Sequence, residues 1–405
     1  MDIKAEEQFN KFVPNIEYDP SESIVDTFEK LAAEYMKPWS GFPGKPKARF
    51  TKRMLNTMEF AFKGGSFRVR IVDGQIYYRK IVRWDQTYRD QRMEWILGML
   101  KQMIAEDRIN FNTDLIFYVG DGCKVAMDTS IQEAGFPLFS LRTSQNHMDI
   151  PIPDPVAYGS NGQYSWPESA KNAFPFDKKI EKVIFRGKAS CLKMQSDNWH
   201  VCNRVVASLI SKEFPDLFDI GVIEWNQLKS TVSFYPNARK DEVEQSTGLK
   251  LVEFMDFEAQ SRYKYILDLD GGLGSSRKPG ILSSGSVALF QQSPWYGFFE
   301  PLLRPYSHYI PISRWLDDLV AKTVWIMRRP KLGKQITLNG IEFEKKYLSM
   351  DAAKTYMQIV LRKYTDLLVD QVDLSPVEID YCLPDNKQII NGPMKCSRDW
   401  IKWDI

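Results

Sequence analysis

The feature that most constrains the fold is a series of short apolar runs, each closed by a polar residue or a glycine, that alternate with segments of helical periodicity. An apolar run of this length between turn residues is typical of a buried strand. The other segments carry apolar residues three and four positions apart, as on one face of a helix. The pattern predicts strands at 114–120, 136–141, 182–185, 263–269, 287–290 and 309–312, and helices at 86–105, 199–214 and 350–369.

Alternation of strand and helix favours an α/β fold with parallel sheets and crossover helices in both halves of the chain. The 405 residues are enough for two domains of ordinary size. We predict an N-terminal Rossmann-like domain over residues 1–170 and a C-terminal Rossmann-like domain over residues 171–345. Residues 346–405 are expected to form a helix and a tail that pack back on the first domain.

Composition excludes several classes of partner. The 54 Lys and Arg residues are balanced by 52 Asp and Glu, so the net charge of +2 provides no field for nucleic acid or a membrane surface. The chain has no apolar run long enough for a membrane span, and Met1 to Asn10 do not read as a signal peptide. We therefore expect a cytoplasmic protein without a nucleic-acid partner, although a secretory protein lacking its leader would have the same features.

Cysteine usage supports the same expectation. The five cysteines are scattered, odd in number and form no Cys-x-x-Cys pair. Neither a disulfide framework nor a zinc site is implied by such spacing. This pattern favours a reducing compartment.

A glycine-rich segment, Asp268 to Lys278 (DLDGGLGSSRK), leaves a predicted strand and enters a predicted helix. Ligands gather at the carboxyl ends of parallel strands, where backbone N–H groups are available. Gly272 allows the backbone to approach a phosphate closely. Ser275 and Ser276 offer hydroxyl and N–H donors, and Arg277 offers a planar guanidinium for a diphosphate. The segment lacks the third glycine of a dinucleotide-binding fingerprint and the Gly-Lys of a P-loop.

Two neighbouring patterns each have a functional and a structural interpretation. Asp268 and Asp270 lie two apart on a strand, so both carboxylates could hold a divalent metal, but an Asp beside a glycine is also a common turn residue. Arg186 and Gly187 end the strand at 182–185 and could form a second phosphate clamp. The structural alternative is that Arg186 is an ordinary surface arginine.

A second group of polar residues follows the strands of the first half. Asp121 ends the strand at 114–120, where a carboxylate requires either a partner or a function. A turn Asp before glycine is the structural alternative. Ser144, His147 and Asp149 lie in the polar, proline-rich loop after the next strand and could line a cleft.

Five ordered segments are LIFYVGDG, PLFSLRTSQNHMDIPIPDP, VIFRGKAS, YKYILDLDGGLGSSRKPGILSSGSVALF and WYGFFEPLLRPYSHYIPI. In this order they resemble the motifs of glycosyltransferase family 90, which contains the fungal capsule-associated xylosyltransferases and the Rumi-type protein O-glucosyltransferases. The similarity runs from about Asn112 to Val369. The chain departs from the family at Asp121-Gly122-Cys123, where members often have Asp-Tyr-Pro, so the acceptor-side loop is expected to differ.

The resemblance implies a GT-B arrangement, in which two Rossmann-like domains face each other across a cleft. It implies an inverting transfer of xylose or glucose from a UDP-sugar to a hydroxyl of a glycan, a lipid-linked saccharide or a protein, without a cofactor or a metal. Asp121 would be the general base. The donor would be bound by Arg186, Gly187, Gly272, Ser275, Ser276 and Arg277.

Two alternatives stay open from the residues themselves. One is a metal-dependent sugar-nucleotide transferase that uses Asp268 and Asp270. The other is a non-catalytic protein that binds a nucleotide sugar on the same scaffold.

Overall fold

The computed structural model describes residues 13–14, 16–40, 50–51, 55, 65–80, 87–123, 137–159, 167–191, 199–225, 240–272, 274–372 and 401–403. In chain order the helices and strands are α1 (Ile24–Ser40), β1 (Ser66–Val72), β2 (Gln75–Lys80), α2 (Thr87–Ala105), β3 (Thr113–Tyr118), β4 (Phe139–Ser140), β5 (Ile150–Pro151), β6 (Ile180–Lys188), α3 (Asn203–Glu213), β7 (Phe218–Glu224), α4 (Lys240–Thr247), α5 (Phe257–Gln260), β8 (Tyr263–Asp268), α6 (Lys278–Ser283), β9 (Val287–Gln291), β10 (Ile310–Ile312), α7 (Leu319–Met327), α8 (Pro330–Tyr347), α9 (Met350–Thr365) and β11 (Ile401–Lys402). Among these helices, none is both long and apolar enough to cross a bilayer.

The chain divides into two compact units, each built on one sheet. The mixed-sheet unit comprises Val25–Ile152 and Lys354–Ile405, and the parallel-sheet unit comprises Met1–Ile24 and Pro153–Ala353. The predicted α/β class with two sheet-based units, as in GT-B proteins, is confirmed. These divisions differ from the sequence-based boundaries at residues 170 and 345, since no change in composition marks the places where the chain passes between units.

The sheet of the mixed-sheet unit has the order β11–β2–β1–β3–β4–β5. Strands β3, β4 and β5 are parallel, whereas β1 pairs antiparallel with both β2 and β3. The predicted strands of this half, β3 and β4, are parallel as expected, and the antiparallel hairpin of β1 and β2, which was not predicted, makes the sheet mixed. The physical reason is a tight hairpin at Asp73 and Gly74, whose φ angles of 48° and 73° suit a two-residue turn between antiparallel strands.

Strand β3 is held in place by buried polar contacts as well as by apolar packing. Asp114 accepts hydrogen bonds from Arg68 and Arg70 of β1, with Nε–O distances of 2.6 and 2.7 Å. Tyr364 of α9 donates its hydroxyl to the Asp114 carbonyl at 2.7 Å, and Tyr356 donates to the Pro151 carbonyl at 2.7 Å. A buried carboxylate is tolerated only with such partners, so these contacts fix β3 and the residues that follow it.

The sheet of the parallel-sheet unit has the order β10–β9–β8–β6–β7, and its strand pairs are all parallel. After β6 the chain builds β7 on one side and then returns to build β8 on the other. The connections therefore diverge between β6 and β8, which is the switch point where ligands bind in open parallel sheets. The core of this sheet is apolar, with Val183, Phe185, Leu267, Leu289 and Ile310 at 0% exposure.

The structure corrects the interpretation of the cysteines. Cys191, just after β6, and Cys202, just before α3, form a disulfide with their Cα atoms 5.3 Å apart. The sequence spacing could not show this because the pairing depends on the chain returning from the end of β6 to the start of α3. Disulfides persist in oxidising compartments, so cysteine usage no longer supports a reducing one.

Removing this disulfide is expected to lower stability measurably. The bond closes a loop of 11 residues, for which the chain-entropy model gives about 3 kcal/mol. We expect C191S/C202S to have a lower Tm than the oxidised wild type and to be insensitive to reductant. Cys123→Ser is the matched control and should keep the wild-type response. Equal Tm values for wild type and C191S/C202S under oxidising conditions would contradict the prediction.

Candidate functional site

Arg204 joins the carboxyl ends of β6 and β8 at the switch point. Its guanidinium donates to the carbonyl of Lys188 at 2.7 Å and to those of Leu269 and Asp270, each at 3.1 Å. The side chain is buried, and burial lowers the pKa of Arg204 to about 10, with the charge of Arg277 acting in the same direction. It remains a cation at neutral pH. The helix α3 thus supplies a fixed positive charge where the two strands end.

Arg277 brings a second cation to the same place. Its guanidinium carbon lies 5.0 Å from the centre of the Phe185 ring and 5.8 Å from that of Phe257, while Arg204 lies 5.5 Å from the Phe185 ring. The two like charges disfavour each other, and the nearby carboxylates of Asp268 and Asp270 partly offset this at Arg204. The planar forks of arginine suit phosphate oxygens, so the arrangement favours a diphosphate.

Gly187 makes this approach possible. A Cβ atom at this position would lie 2.8 Å from the Phe185 Cζ atom and 3.1 Å from the Arg277 Nη2 atom. Both distances are shorter than ordinary contacts, so a side chain here would displace the ring or the guanidinium. The absence of a side chain at Gly187 therefore leaves room for the Arg277 guanidinium.

The glycine-rich turn is held by its own serines. Ser275 donates its hydroxyl to Asp268 at 2.5 Å and accepts the Arg277 N–H at 3.3 Å. Ser276 donates to Asp154, also at 2.5 Å. In this structure both hydroxyl protons fix the turn that carries Arg277, and binding of a ligand by Ser275 and Ser276 stays a prediction.

The structure also defines the burial and contacts of the other residues of this turn. Gly272 is half-buried within it, and Gly274 has a φ of 94°, a conformation open to glycine. Asp268 is 2% exposed and bonded by Ser275, whereas the backbone N–H of Asp270 donates to Gln291 at 3.0 Å. The carboxylate of Asp268 thus serves the turn.

Arg186 does not join this cluster. Its guanidinium donates to the carboxylate of Asp219 at 2.6 Å and to the Asp219 carbonyl at 2.7 Å. Burial would raise the pKa of Asp219, but hydrogen bonds from Tyr263 and Arg186 lower it overall. Asp219 and Tyr263 belong to the starts of β7 and β8, and successive strand residues point to opposite faces, so Arg186 lies on the face away from Gly187. In this structure the Arg186 side chain is engaged by Asp219, and its role as a donor ligand stays a prediction.

Asp121 lies at the carboxyl end of β3 in the mixed-sheet unit. Its side chain is 65% exposed and accepts a hydrogen bond from Arg92 of α2 at 2.8 Å. Arg92 also donates to the Val119 carbonyl at 2.8 Å and lies over the Tyr88 ring. The carboxylate is held by one oriented contact and remains open to solvent, as a group that must reach a substrate requires.

Tyr118 lies close to this carboxylate. Burial raises the pKa of Tyr118 to about 12, and the charges of Asp121 and Asp149 act in the same direction. A Cβ atom at Gly120 would lie 2.1 Å from the Tyr118 hydroxyl oxygen, so a side chain there would displace the Tyr118 ring. Tyr118 therefore stays protonated at neutral pH and can donate or accept a hydrogen bond near Asp121.

The structure brings Ser144 and His147 together. The Ser144 Oγ and His147 Nδ1 atoms are 2.7 Å apart, and partial burial lowers the pKa of His147 below its usual value. Asp149 is 2% exposed and accepts the Ser140 hydroxyl at 2.5 Å. Asp149 therefore has a structural contact across β4 and β5, while Ser144 and His147 stay candidates for the surface of a binding site.

Three residues of these clusters were missed from the sequence. Arg204 lies within the predicted helix at 199–214, and Arg92 within that at 86–105, where an arginine reads as part of a solvated face. Tyr118 reads as one more apolar residue of a strand. The only available signal was position, since Arg204 lies in the first turn of the helix after a strand that ends at a glycine.

Comparison with known proteins identifies the class. Residues 46–397 match the sequence profile of Glycosyl transferase family 90, and the chain belongs to this family. Protein O-glucosyltransferase 3 of Rattus norvegicus is 32% identical over 193 residues, which cover 48% of this chain and 33% of the relative. Protein O-glucosyltransferase 1 of Homo sapiens is 24% identical over 255 residues, 58% of each protein. The chain thus spans a third to under two thirds of the length of these relatives.

Among solved structures, sucrose-phosphate synthase from Thermosynechococcus elongatus matches 66% of this chain and 71% of its own length, at 10% identity and a TM-score of 0.34. This similarity is too low to refine the description of the fold. Family membership rests on the sequence match.

A small substitution tests the close approach at Gly187. An added methyl group would push both the Phe185 ring and the Arg277 guanidinium away from position 187. We therefore expect Gly187→Ala to weaken UDP binding by about tenfold, a loss of about 1.4 kcal/mol. Titration calorimetry with UDP measures the change. Gly98→Ala is the matched control, since its Cβ meets nothing within 4 Å. Unchanged UDP affinity in Gly187→Ala would contradict the assignment.

Proposed function

We propose that this protein is an inverting, UDP-sugar-dependent glycosyltransferase that transfers glucose to a hydroxyl group. The observation that supports it best is the pair of guanidinium groups, Arg204 and Arg277, at the switch point of the parallel sheet. A nucleotide diphosphate is the ligand that such a site suits. Glucose is proposed over xylose because the named relatives are O-glucosyltransferases.

In the proposed reaction, negative charge grows on the diphosphate as the bond to the sugar breaks. Arg277 and Arg204 would stabilise this charge more strongly in the transition state than in the bound donor. Arg204 is fixed by three backbone carbonyls, so it requires no rearrangement during the reaction. Such preorganisation is the main source of electrostatic catalysis.

Asp121 is proposed as the general base that takes the proton of the acceptor hydroxyl. The acceptor oxygen then attacks the anomeric carbon while UDP leaves, which inverts the configuration. The exposed carboxylate oxygens leave room for an acceptor, and the single contact with Arg92 orients the group. A correctly placed base contributes about 100- to 10,000-fold to the rate. The acceptor is proposed to be a hydroxyl of a protein or a glycan.

Metal independence is part of the proposal. It is supported by Asp268, whose carboxylate accepts the Ser275 hydroxyl, and by the two guanidinium groups, which supply the charge that a divalent cation would otherwise bring. The alternative transferase that uses Asp268 and Asp270 predicts the opposite response to a chelator.

The deciding experiment measures UDP release from a panel of UDP-sugars, with and without EDTA, and the anomeric configuration of the product by NMR. Chelator-resistant release from UDP-glucose with inversion would support the proposal. Loss of release with EDTA and recovery with Mn²⁺ would favour the metal-dependent alternative. UDP binding without release from any donor, over a panel of acceptors, would favour a non-catalytic binding protein.

A further inference from the structure

A turn after β10 presents one aromatic side chain to solvent on a strained backbone. It runs from Ser313 to Leu316, and the Ser313 carbonyl accepts the Leu316 N–H at 3.1 Å. Leu316 has a φ of 65°, in the left-handed region that is costly for a bulky residue, while its side chain is 2% exposed in the core of the parallel sheet. The preceding Trp315 is 64% exposed. Burial of the Leu316 side chain thus holds a turn from which Trp315 projects into solvent.

Other elements fix the backbone beneath this ring. Asn203, the first residue of α3, and Gln291, the last residue of β9, donate their side-chain amides to the Arg314 carbonyl at 2.9 and 2.7 Å. The carboxylate of Asp318 accepts the Ser313 N–H at 2.8 Å. A single exposed apolar residue is ordinary by itself, but backbone strain held by surrounding contacts is concentrated at functional positions. The turn is therefore a candidate binding position.

The turn lies at the edge of the parallel sheet where ligands bind in α/β proteins. It follows the carboxyl end of β10, which pairs parallel with β9. Gln291 also accepts the Asp270 N–H at 3.0 Å, and Arg204 donates to the Asp270 carbonyl at 3.1 Å. A chain of hydrogen bonds therefore connects the Arg314 backbone with Arg204 of the proposed diphosphate site.

The groups around the ring have the chemistry of a saccharide site. The Arg314 guanidinium carbon lies 5.4 Å from the centre of the Trp315 ring. The ring offers a flat apolar surface to the C–H groups of a sugar, and the guanidinium can donate hydrogen bonds to its oxygens. Asp317, which accepts the Ser313 hydroxyl, is exposed and can accept hydrogen bonds from sugar hydroxyls.

The exposure of the ring favours an extended saccharide over other ligands. Pockets for small molecules enclose about 70–90% of the ligand surface, whereas a single exposed ring covers one side of one residue of a longer ligand. A protein partner would require a contiguous apolar patch, but Arg314, Asp317 and Asp318, close to Trp315 in the chain, are charged. An oligosaccharide that lies along the surface meets both conditions.

We infer that Trp315 and Arg314 bind a pyranose ring of the acceptor, which makes the acceptor an oligosaccharide. The inference rests on the proposed function and adds the class of acceptor, which that proposal leaves as a protein or a glycan. The indole ring has a donor N–H but no group that can take a proton from the acceptor. Trp315 therefore sets affinity and specificity, and the chemistry is left to other groups.

The test measures binding of cellotetraose, xylotetraose, mannotetraose and galactotetraose at saturating UDP, by calorimetric titration and saturation-transfer NMR. We expect wild type to bind at least one of them and to transfer saturation mainly to ring C–H protons. Trp315→Ala should weaken this binding by about three- to tenfold, as expected for the loss of one stacked ring, and Trp315→Phe should weaken it less. UDP affinity should change by less than about twofold, because the diphosphate site is formed by other residues.

Phe254→Ala is the matched control, since Phe254 is an aromatic residue of the same unit with 63% exposure. It should bind the saccharide as wild type does. Both side chains are exposed, so neither substitution should lower the Tm appreciably. With the bound saccharide as acceptor and UDP-glucose as donor, Trp315→Ala should raise the acceptor KM at nearly unchanged kcat, which indicates the loss of binding shared by the ground state and the transition state.

The outcomes separate the two proposals. Failure of wild type to bind UDP would overturn the proposed function and the acceptor role with it. Wild type that binds UDP but none of the tetrasaccharides, or Trp315→Ala that binds them equally well, would overturn this inference alone. Equal weakening of UDP and saccharide binding in Trp315→Ala would place the nucleotide base on the ring and would also overturn it. A selective loss of saccharide affinity would support it.

Discussion

Asp121→Asn is expected to lower kcat for sugar transfer by about 100- to 10,000-fold, the usual contribution of a general base. Asparagine keeps the size of the side chain and an oxygen that can accept the Arg92 hydrogen bond, but it cannot take the acceptor proton. The KM for the donor should change by less than about threefold, because Asp121 belongs to the mixed-sheet unit and the proposed diphosphate site at Arg204 and Arg277 belongs to the parallel-sheet unit. Steady-state UDP release with a fixed acceptor measures both constants.

Arg92→Met distinguishes a chemical role of Asp121 from a structural one. This variant breaks the same 2.8 Å ion pair but keeps the carboxylate. The Asp121 side chain is 65% exposed, so the ion pair itself contributes about 0–1 kcal/mol. Arg92→Met also removes the hydrogen bond to the Val119 carbonyl, so the Tm of both variants is measured beside kcat. We expect Arg92→Met to lose less than about tenfold in kcat. Equal losses in the two variants would show that the ion pair, and not the base, is what activity requires.

The positions of several strands were readable from the sequence because each predicted strand is an apolar run closed by a turn residue. The runs at 182–185, 263–269 and 287–290 correspond to β6, β8 and β9. The direction of β1 was not readable, since it depends on the tight turn at Asp73-Gly74, and the preceding part of the chain offered no strong periodicity. Local patterns specify elements, while pairing depends on which faces meet in the folded chain.

The same limit applies to the contacts of the site residues. Arg277 was recognisable because it lies within a motif whose glycines and serines mark a turn at the end of a strand. Arg186 lies in an equally suggestive place, but the alternation of side chains along β6 directs it to Asp219. Arg204 carries no local signal, because its importance comes from the carbonyls of two strands that α3 brings within its reach. A role that depends on tertiary contacts can be predicted only when the fold is known.

For the serines of the glycine-rich turn, the sequence predicts the position but not the hydrogen-bond partners. Their type and position were read correctly as polar groups at a strand end. Which groups they contact could not be read, since Asp154 is more than a hundred residues away from Ser276 in the sequence. A hydroxyl at a strand end can bind a ligand or hold the backbone, and in this structure Ser275 and Ser276 hold the backbone of the turn.

Arg277→Met is expected to weaken UDP binding by about 10- to 100-fold, since a hydrogen bond to a charged group contributes about 1.5–3 kcal/mol. Methionine keeps much of the apolar contact with the rings of Phe185 and Phe257 but removes the charge. Uridine carries no phosphate, so its weaker binding should be unchanged. Calorimetric titration of both ligands separates the loss of a phosphate contact from a general loss of the site.

Arg262→Met is the matched control for this variant, because the guanidinium of Arg262 also lies over an aromatic ring, 5.2 Å from the centre of Phe174, in the same unit. It should bind UDP as wild type does. Salt gives an independent check, since screening weakens contacts between charged groups. Wild-type affinity for UDP should fall as salt rises, and Arg277→Met should show a smaller dependence. A salt dependence equal to that of wild type would place the diphosphate away from Arg277 and would remove the main support for the donor site at the switch point.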